Sequence, residues 1–104
     1  MQNKTMTTAL ILALLMATGA AQAGGDAARG AELAIDCADC HGEDGQGDSD
    51  VPAIAGLDPA KHVDLLKKYK SGELSDEDGM MQLYTEALSE QDMKDLAAYY
   101  ATLD

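Results

Sequence analysis

An all-α domain of about four helices is the fold this 104-residue sequence predicts. Three observations predict it. Apolar residues recur at three- and four-residue spacing in four separate segments, strand-like alternation is absent, and the one long irregular stretch is punctuated by glycines.

The first 23 residues read as an address label. Lys4 precedes the apolar run "ALILALLMA", Ala9 to Ala17, and the small-residue stretch "TGAAQA" ends at Ala23. A charged start, a short apolar run and an A-x-A end describe a secretory signal peptide. A spanning anchor needs about 20 apolar residues, whereas Thr18 and Gly19 interrupt this run after nine. The expectation is a cleaved signal peptide over 1–23, a folded domain over 24–104, a periplasmic location, and no stable membrane insertion after cleavage.

In the folded part, Asp26 can cap a first helix, with Gly30, Leu33, Ala34 and Cys37 on one face. A glycine inside a helix costs roughly 1 kcal/mol, and close approach of another helix compensates for it. The stretch from His41 to Leu57 reads as loop. Asp58 followed by Pro59 opens a second helix with His62, Leu65, Leu66 and Tyr69 on a face, stopping near Gly72. Ser75 with Asp76, Glu77 and Asp78 predicts the start of a short third helix. Its clearer stripe is Met80, Leu83, Tyr84 and Ala87, with Met81 one position round. Ser89, followed three residues on by Asp92, caps a fourth helix whose stripe is Met93, Leu96, Ala97 and Tyr100.

Composition shows what these helices lack. The chain has no Phe and no Trp, and four Tyr are its only aromatic residues besides histidine. That is thin for an unaided core, and small domains so placed recruit disulfides, a metal or a large buried prosthetic group. Two cysteines cannot make a disulfide framework. Of seven basic side chains only Lys4 precedes Ala23, so six face 19 carboxylates in the exported part, a formal charge of −13. Such a surface repels nucleic acid and anionic membranes, and it suits docking to a basic protein.

Both cysteines, Cys37 and Cys40, and one of the two histidines, His41, fall within five positions. A thiol-disulfide oxidoreductase places its C-x-x-C at the start of a helix in a βαβ setting, whereas here the pair ends a helix with no strand nearby. Structural zinc needs two further ligands, and no other cysteine exists. The remaining chemistry is covalent haem attachment, for which C-x-x-C-H is the signature. One haem c would also supply the missing apolar bulk. For the other side of the iron the residues leave Met80, Met81 and His62 open.

Four stretches carry a resemblance: "GDAARGAELAIDCADCHGEDGQG", "VPAIAG", "KKYKSGE" and "MMQLYTEALSEQDMKDLAAYYATL". In them the chain resembles the small class I bacterial cytochromes c, especially the haem domains of di-haem cytochromes c and the cytochrome subunit of flavocytochrome c sulfide dehydrogenase. The resemblance implies a class I cytochrome c fold, its helices around one covalently bound haem. The first and last helices then cross at Gly30 and the Tyr99–Tyr100 pair. It implies thioethers at Cys37 and Cys40, His41 as proximal iron ligand, and the Pro52 carbonyl as acceptor for that histidine. Ile54 and Tyr69 would pack on the haem. The family's axial methionine lies seven residues before the leucine that opens its last helix, which gives Met81 from Leu88, with Met80 as the fallback. Lys70 and Glu73 stand where the family often has arginines beside the propionates. The implied function is a periplasmic one-electron carrier rather than an enzyme, docking to a redox protein with a basic surface. The alternative is the cytochrome subunit of a periplasmic redox enzyme, such as a sulfide-oxidising flavocytochrome c.

Overall fold

Asp26 turns the chain into its first helix, α1 (Ala27–His41), by accepting hydrogen bonds from the backbone N–H groups of Ala28 and Arg29 at 3.0 and 3.2 Å. The structure, a computed structural model, describes residues 24–104; the signal-peptide reading of 1–23 lies outside the described residues. Three further helices follow: α2 (Pro59–Ser71), α3 (Met80–Thr85) and α4 (Glu90–Ala101), with no strand among the described residues.

The predicted caps account for three of these helices. The Asp58 carboxylate accepts from Lys61 N, with Pro59 in the first turn, and α2 closes at Gly72 in the left-handed region. Ser89 and Asp92 exchange side-chain and backbone hydrogen bonds at 3.0 Å in each direction, a complete capping box for α4.

The third helix departs from expectation in its start and its rotation. It begins at Met80, not near Ser75, because the Asp76 carboxylate accepts from the N–H groups of Met80 and Met81 across an intervening turn. The stripe assigned inward, Met80, Leu83 and Tyr84, faces solvent with 40, 61 and 41% exposure. Ala87 lies beyond the helix and is also exposed. The inner face is Met81, Thr85 and Leu88, spaced i, i+4 and i+7. Thr85 is buried because its hydroxyl donates to the Met81 carbonyl at 2.7 Å. A hydropathy count overlooks a threonine whose hydroxyl is satisfied within its own helix.

The core lies where α1 crosses α4 and α2 packs beside them. Ala34, Leu66, Met93, Leu96 and Tyr100 form its centre, with Leu33, Cys37, Ile54, Val63, Met81 and Leu88 partly buried around it. At the crossing, a Cβ on Gly30 would lie 2.0 Å from the Asp95 carbonyl oxygen and 2.8 Å from Tyr99 Cβ, so only glycine fits. Charge reinforces this contact. Asp95, 2% exposed, accepts from Asp26 N at 2.8 Å, Arg29 at 2.8 Å and Gln91 at 3.0 Å. Burial pushes the Asp95 carboxyl up, but those three donors outweigh it and hold the group below its ordinary range. No described helix is long and apolar enough to cross a membrane.

Candidate haem site

The last turn of α1 carries Cys37, Cys40 and His41 at relative positions i, i+3 and i+4, which places all three along one side of that turn. His41 is buried, Cys37 is half-buried against the core, and Cys40 is exposed. Below them the glycine-rich loop folds back under the helix end. Its Gly47 N–H donates to the His41 carbonyl at 2.7 Å, and the Gly45 carbonyl accepts from Ile54 N and Ala55 N at 2.7 and 3.0 Å. Gly47 has φ +65°, and a Cβ there would meet Val51 O at 2.2 Å, so the turn requires glycine.

That loop delivers the Pro52 carbonyl to within 2.8 Å of His41 Nδ1. A carbonyl only accepts, so Nδ1 carries the proton and Nε2 keeps its lone pair. This tautomer is the one a metal-ligating histidine needs, with its second nitrogen fixed by a backbone oxygen. Burial pushes the Cys37 thiol up, an effect that the Tyr100 hydroxyl partly offsets. A redox-active cysteine needs the opposite shift, so the geometry disfavours thiol-disulfide chemistry. Among the described residues no group of three or more His, Cys, Asp or Glu could hold a free metal ion.

The sequence-predicted residues sort by depth. Met81 packs against the core, whereas Met80 on the other side of α3 is 40% exposed. His62 is 4% exposed, with its ring 5.6 Å from that of Tyr100. Burial, with a smaller contribution from nearby His41, pushes its pKa down to about 4, and its Nδ1 has no hydrogen-bond partner. Ile54 packs on the core and Tyr69 is half-buried on α2. Lys70 donates to the Leu88 carbonyl at 2.5 Å, and Glu73 pairs with Lys68 at 3.9 Å. Two contacts escape a reading of the sequence. Cys37 packs against the core cluster that contains Tyr100, although the stripe marks Tyr100 only as core. The Arg29 bridge to Asp92 and Asp95 at 2.6 and 2.8 Å joins charges 63 and 66 residues apart, and its one signal is that Arg29 is the chain's sole arginine.

Two thiols, an imidazole with a free lone pair and an inward thioether form a donor set that suits haem: sulfur for covalent attachment, nitrogen and soft sulfur for iron. The small core leaves a prosthetic group to complete it. Known proteins agree with this fit. The cytochrome c family model matches residues 27–104. Cytochrome c-554(547) of Halothiobacillus neapolitanus is 39% identical over 89 residues, covering 76% of this chain and 98% of that protein. Cytochrome c4 of Pseudomonas aeruginosa is 37% identical over 101 residues, covering 96% of this chain and 48% of that protein. Among solved structures, a cytochrome c4 of Acidithiobacillus ferrooxidans superposes with a TM-score of 0.70 at 27% identity, over 79% of this chain and 51% of that one. That structure is described as supporting a complex-induced tuning of electron transfer. The chain therefore spans nearly all of the c-554 relative and about half of each c4 protein. Motif, all-helical fold and relatives converge: the chain belongs to the cytochrome c family, and its cofactor is covalently bound haem c.

Proposed function

We propose that this protein is a periplasmic mono-haem electron carrier, with Cys37 and Cys40 joined to the haem by thioethers and the iron held between His41 and Met81. The observation that carries the ligand assignment is the 2.8 Å bond from His41 Nδ1 to the Pro52 carbonyl, which leaves Nε2 for iron. Met81 is preferred over Met80 because it faces the core while Met80 faces solvent. A haem iron with imidazole and thioether ligands exchanges one electron between Fe(II) and Fe(III), at a higher potential than a bis-histidine iron. With both axial positions filled no site remains for a substrate, which favours a carrier over an enzyme. A single C-x-x-C-H supports one haem, and the signal-peptide reading of 1–23 supports export.

The protein's own residues do the positioning. The Pro52 carbonyl fixes the ring plane and tautomer of His41, and the Asp76 carboxylate, by accepting from Met80 N and Met81 N, pins the start of the segment that bears the thioether. The α1–α4 crossing keeps both halves of the site on one rigid frame, so ligand geometry changes little with the electron count. The acidic surface points to a redox partner with a basic docking face.

Two measurements test this reading. Mass spectrometry of the protein from its own host is expected to show one haem added to a chain beginning near Gly24; a bare polypeptide mass overturns the proposal. In the ferric form, Met81→Ala is expected to abolish the far-red band of a methionine-bound iron, and Met80→Ala to keep it. The reverse result moves the ligand to Met80.

A further inference from the structure

The short helix α3 has two unlike sides. Met81 and Thr85 point inward, while Met80, Leu83 and Tyr84, at i, i+3 and i+4, form one continuous apolar face in solvent. Three of the four exposed large hydrophobic residues among the described residues lie on this face; the fourth, Ile35, stands alone on α1. Water-facing apolar clusters on small proteins mark interaction sites, whereas single exposed residues need no explanation. Charge supplies the partner's chemistry. Glu77, Asp78 and Glu86 flank the helix, are exposed, and make no ion pair among the described residues. Acids paired within the fold are offset by their own cations, but these three project an uncompensated negative field around the apolar centre.

We infer that the outer face of α3, with Met80, Leu83 and Tyr84 inside a rim of Glu77, Asp78 and Glu86, is the docking surface for the electron-transfer partner, which presents an apolar patch edged by lysine or arginine. This rests on the carrier reading, since it places the partner across one helix from Met81. A helix with its side chains is about 10–12 Å across, so the two sides are close. An apolar centre with a charged rim gives a small interface: the rim steers the encounter, and the centre excludes water from the contact. The competing surface is the groove on α1 around Ile35, Tyr99 and Tyr100, which has two acids of its own, Asp39 and Glu43. Of its large side chains only Ile35 is exposed, with Tyr99 half-buried and Tyr100 buried, and it does not back onto the Met81 segment.

The test uses the haem-loaded protein and a surrogate partner of defined chemistry: a gold electrode coated with a mixed methyl- and ammonium-terminated monolayer, with a hydroxyl-terminated monolayer as reference. The wild type is expected to exchange electrons at least tenfold faster on the mixed surface. Leu83→Asn and, separately, Tyr84→Ser are expected to remove most of that advantage with an unchanged midpoint potential, which also reports an intact haem site. Glu77→Gln with Asp78→Asn is expected to lower it at low salt only. Ile35→Asn is expected to behave as wild type. Wild-type rates in the Leu83 and Tyr84 variants, or a tenfold loss in the Ile35 variant, overturn the docking face. Failure of the carrier reading looks different: the wild type itself then shows no reversible one-electron wave on either surface.

Discussion

His62 sets an acid limit on the fold. Its ring is buried and neutral, with a pKa pushed down to about 4 from an unfolded value of 6.5. The unfolded chain therefore binds a proton more readily than the native one, and stability falls as pH drops from 6.5 toward 4. The contribution is fully present above 6.5 and amounts to roughly 3 kcal/mol. The Asp95 carboxyl, held below its ordinary value of 3.8, loses its contribution only at lower pH, so the two windows separate. Denaturant midpoints of the wild type are expected to fall between pH 6.5 and 4, and His62→Leu is expected to flatten that stretch. A wild-type profile already flat there rejects the assignment. At this scale the sequence was partly legible. Cys37, Cys40 and His41 were readable because covalent attachment and ligation dictate fixed spacing along one turn. The choice of Met81 over Met80 came from the resemblance, by its spacing to Leu88, and not from the helical stripe, because Thr85 on its side of α3 counts as polar although its hydroxyl is satisfied at 2.7 Å within the helix. The approach of Tyr100 to Cys37 joins residues far apart in the chain, and no local pattern encodes it.

The crossing of α1 and α4 is the contact on which the helices most depend. Ordinarily, alanine for glycine inside a helix gains up to about 1 kcal/mol. At position 30 the sign reverses, since the new methyl would sit 2.0 Å from a backbone oxygen that cannot rotate away. Gly30→Ala is expected to cost about 3 kcal/mol, through overpacking that pushes the helices apart. Thermal melts of the haem-loaded protein check this, and a variant as stable as wild type would show that the crossing can loosen freely. Helices whose caps lie next to their apolar stripe were visible in the sequence: Asp26, Asp58 and Ser89 each stand one residue before the helix they cap. The start of α3 was misplaced because its capping carboxylate, Asp76, lies four residues before Met80 and acts across a turn. Ser75 in front of three acids imitated a helix start without being one.

Taken whole, the molecule is an acidic shell on a small core. With 19 carboxylates against seven basic side chains, its encounters are governed by long-range repulsion and attraction. Electron transfer to a basic partner is expected to slow as ionic strength rises from about 0.05 to 0.5 M, because the screening length shortens several-fold over that range. A rate indifferent to salt would leave solubility as the role of the acids. The core itself is Ala34, Leu66, Met93, Leu96, Ala97 and Tyr100, too few large side chains to hold a fold of this length without its cofactor. Cys37→Ala with Cys40→Ala, which blocks attachment, is expected to yield a chain that loses most of its far-UV helical signal; native-like ellipticity in that variant would show that the polypeptide folds alone.

The Arg29–Asp95 bridge, spanning 66 residues, also bears on biosynthesis. During synthesis the cysteine-bearing helix emerges early, and the surface it packs against is among the last described residues to be made. Until then α1 has no partner for Gly30 or Arg29, and a lone segment of its length is marginal in water. If the chain is exported unfolded, as the signal-peptide reading implies, the attachment motif is open to a modifying enzyme before its partner helix has closed over it. Closing the far end of the chain over it then seals the product in place.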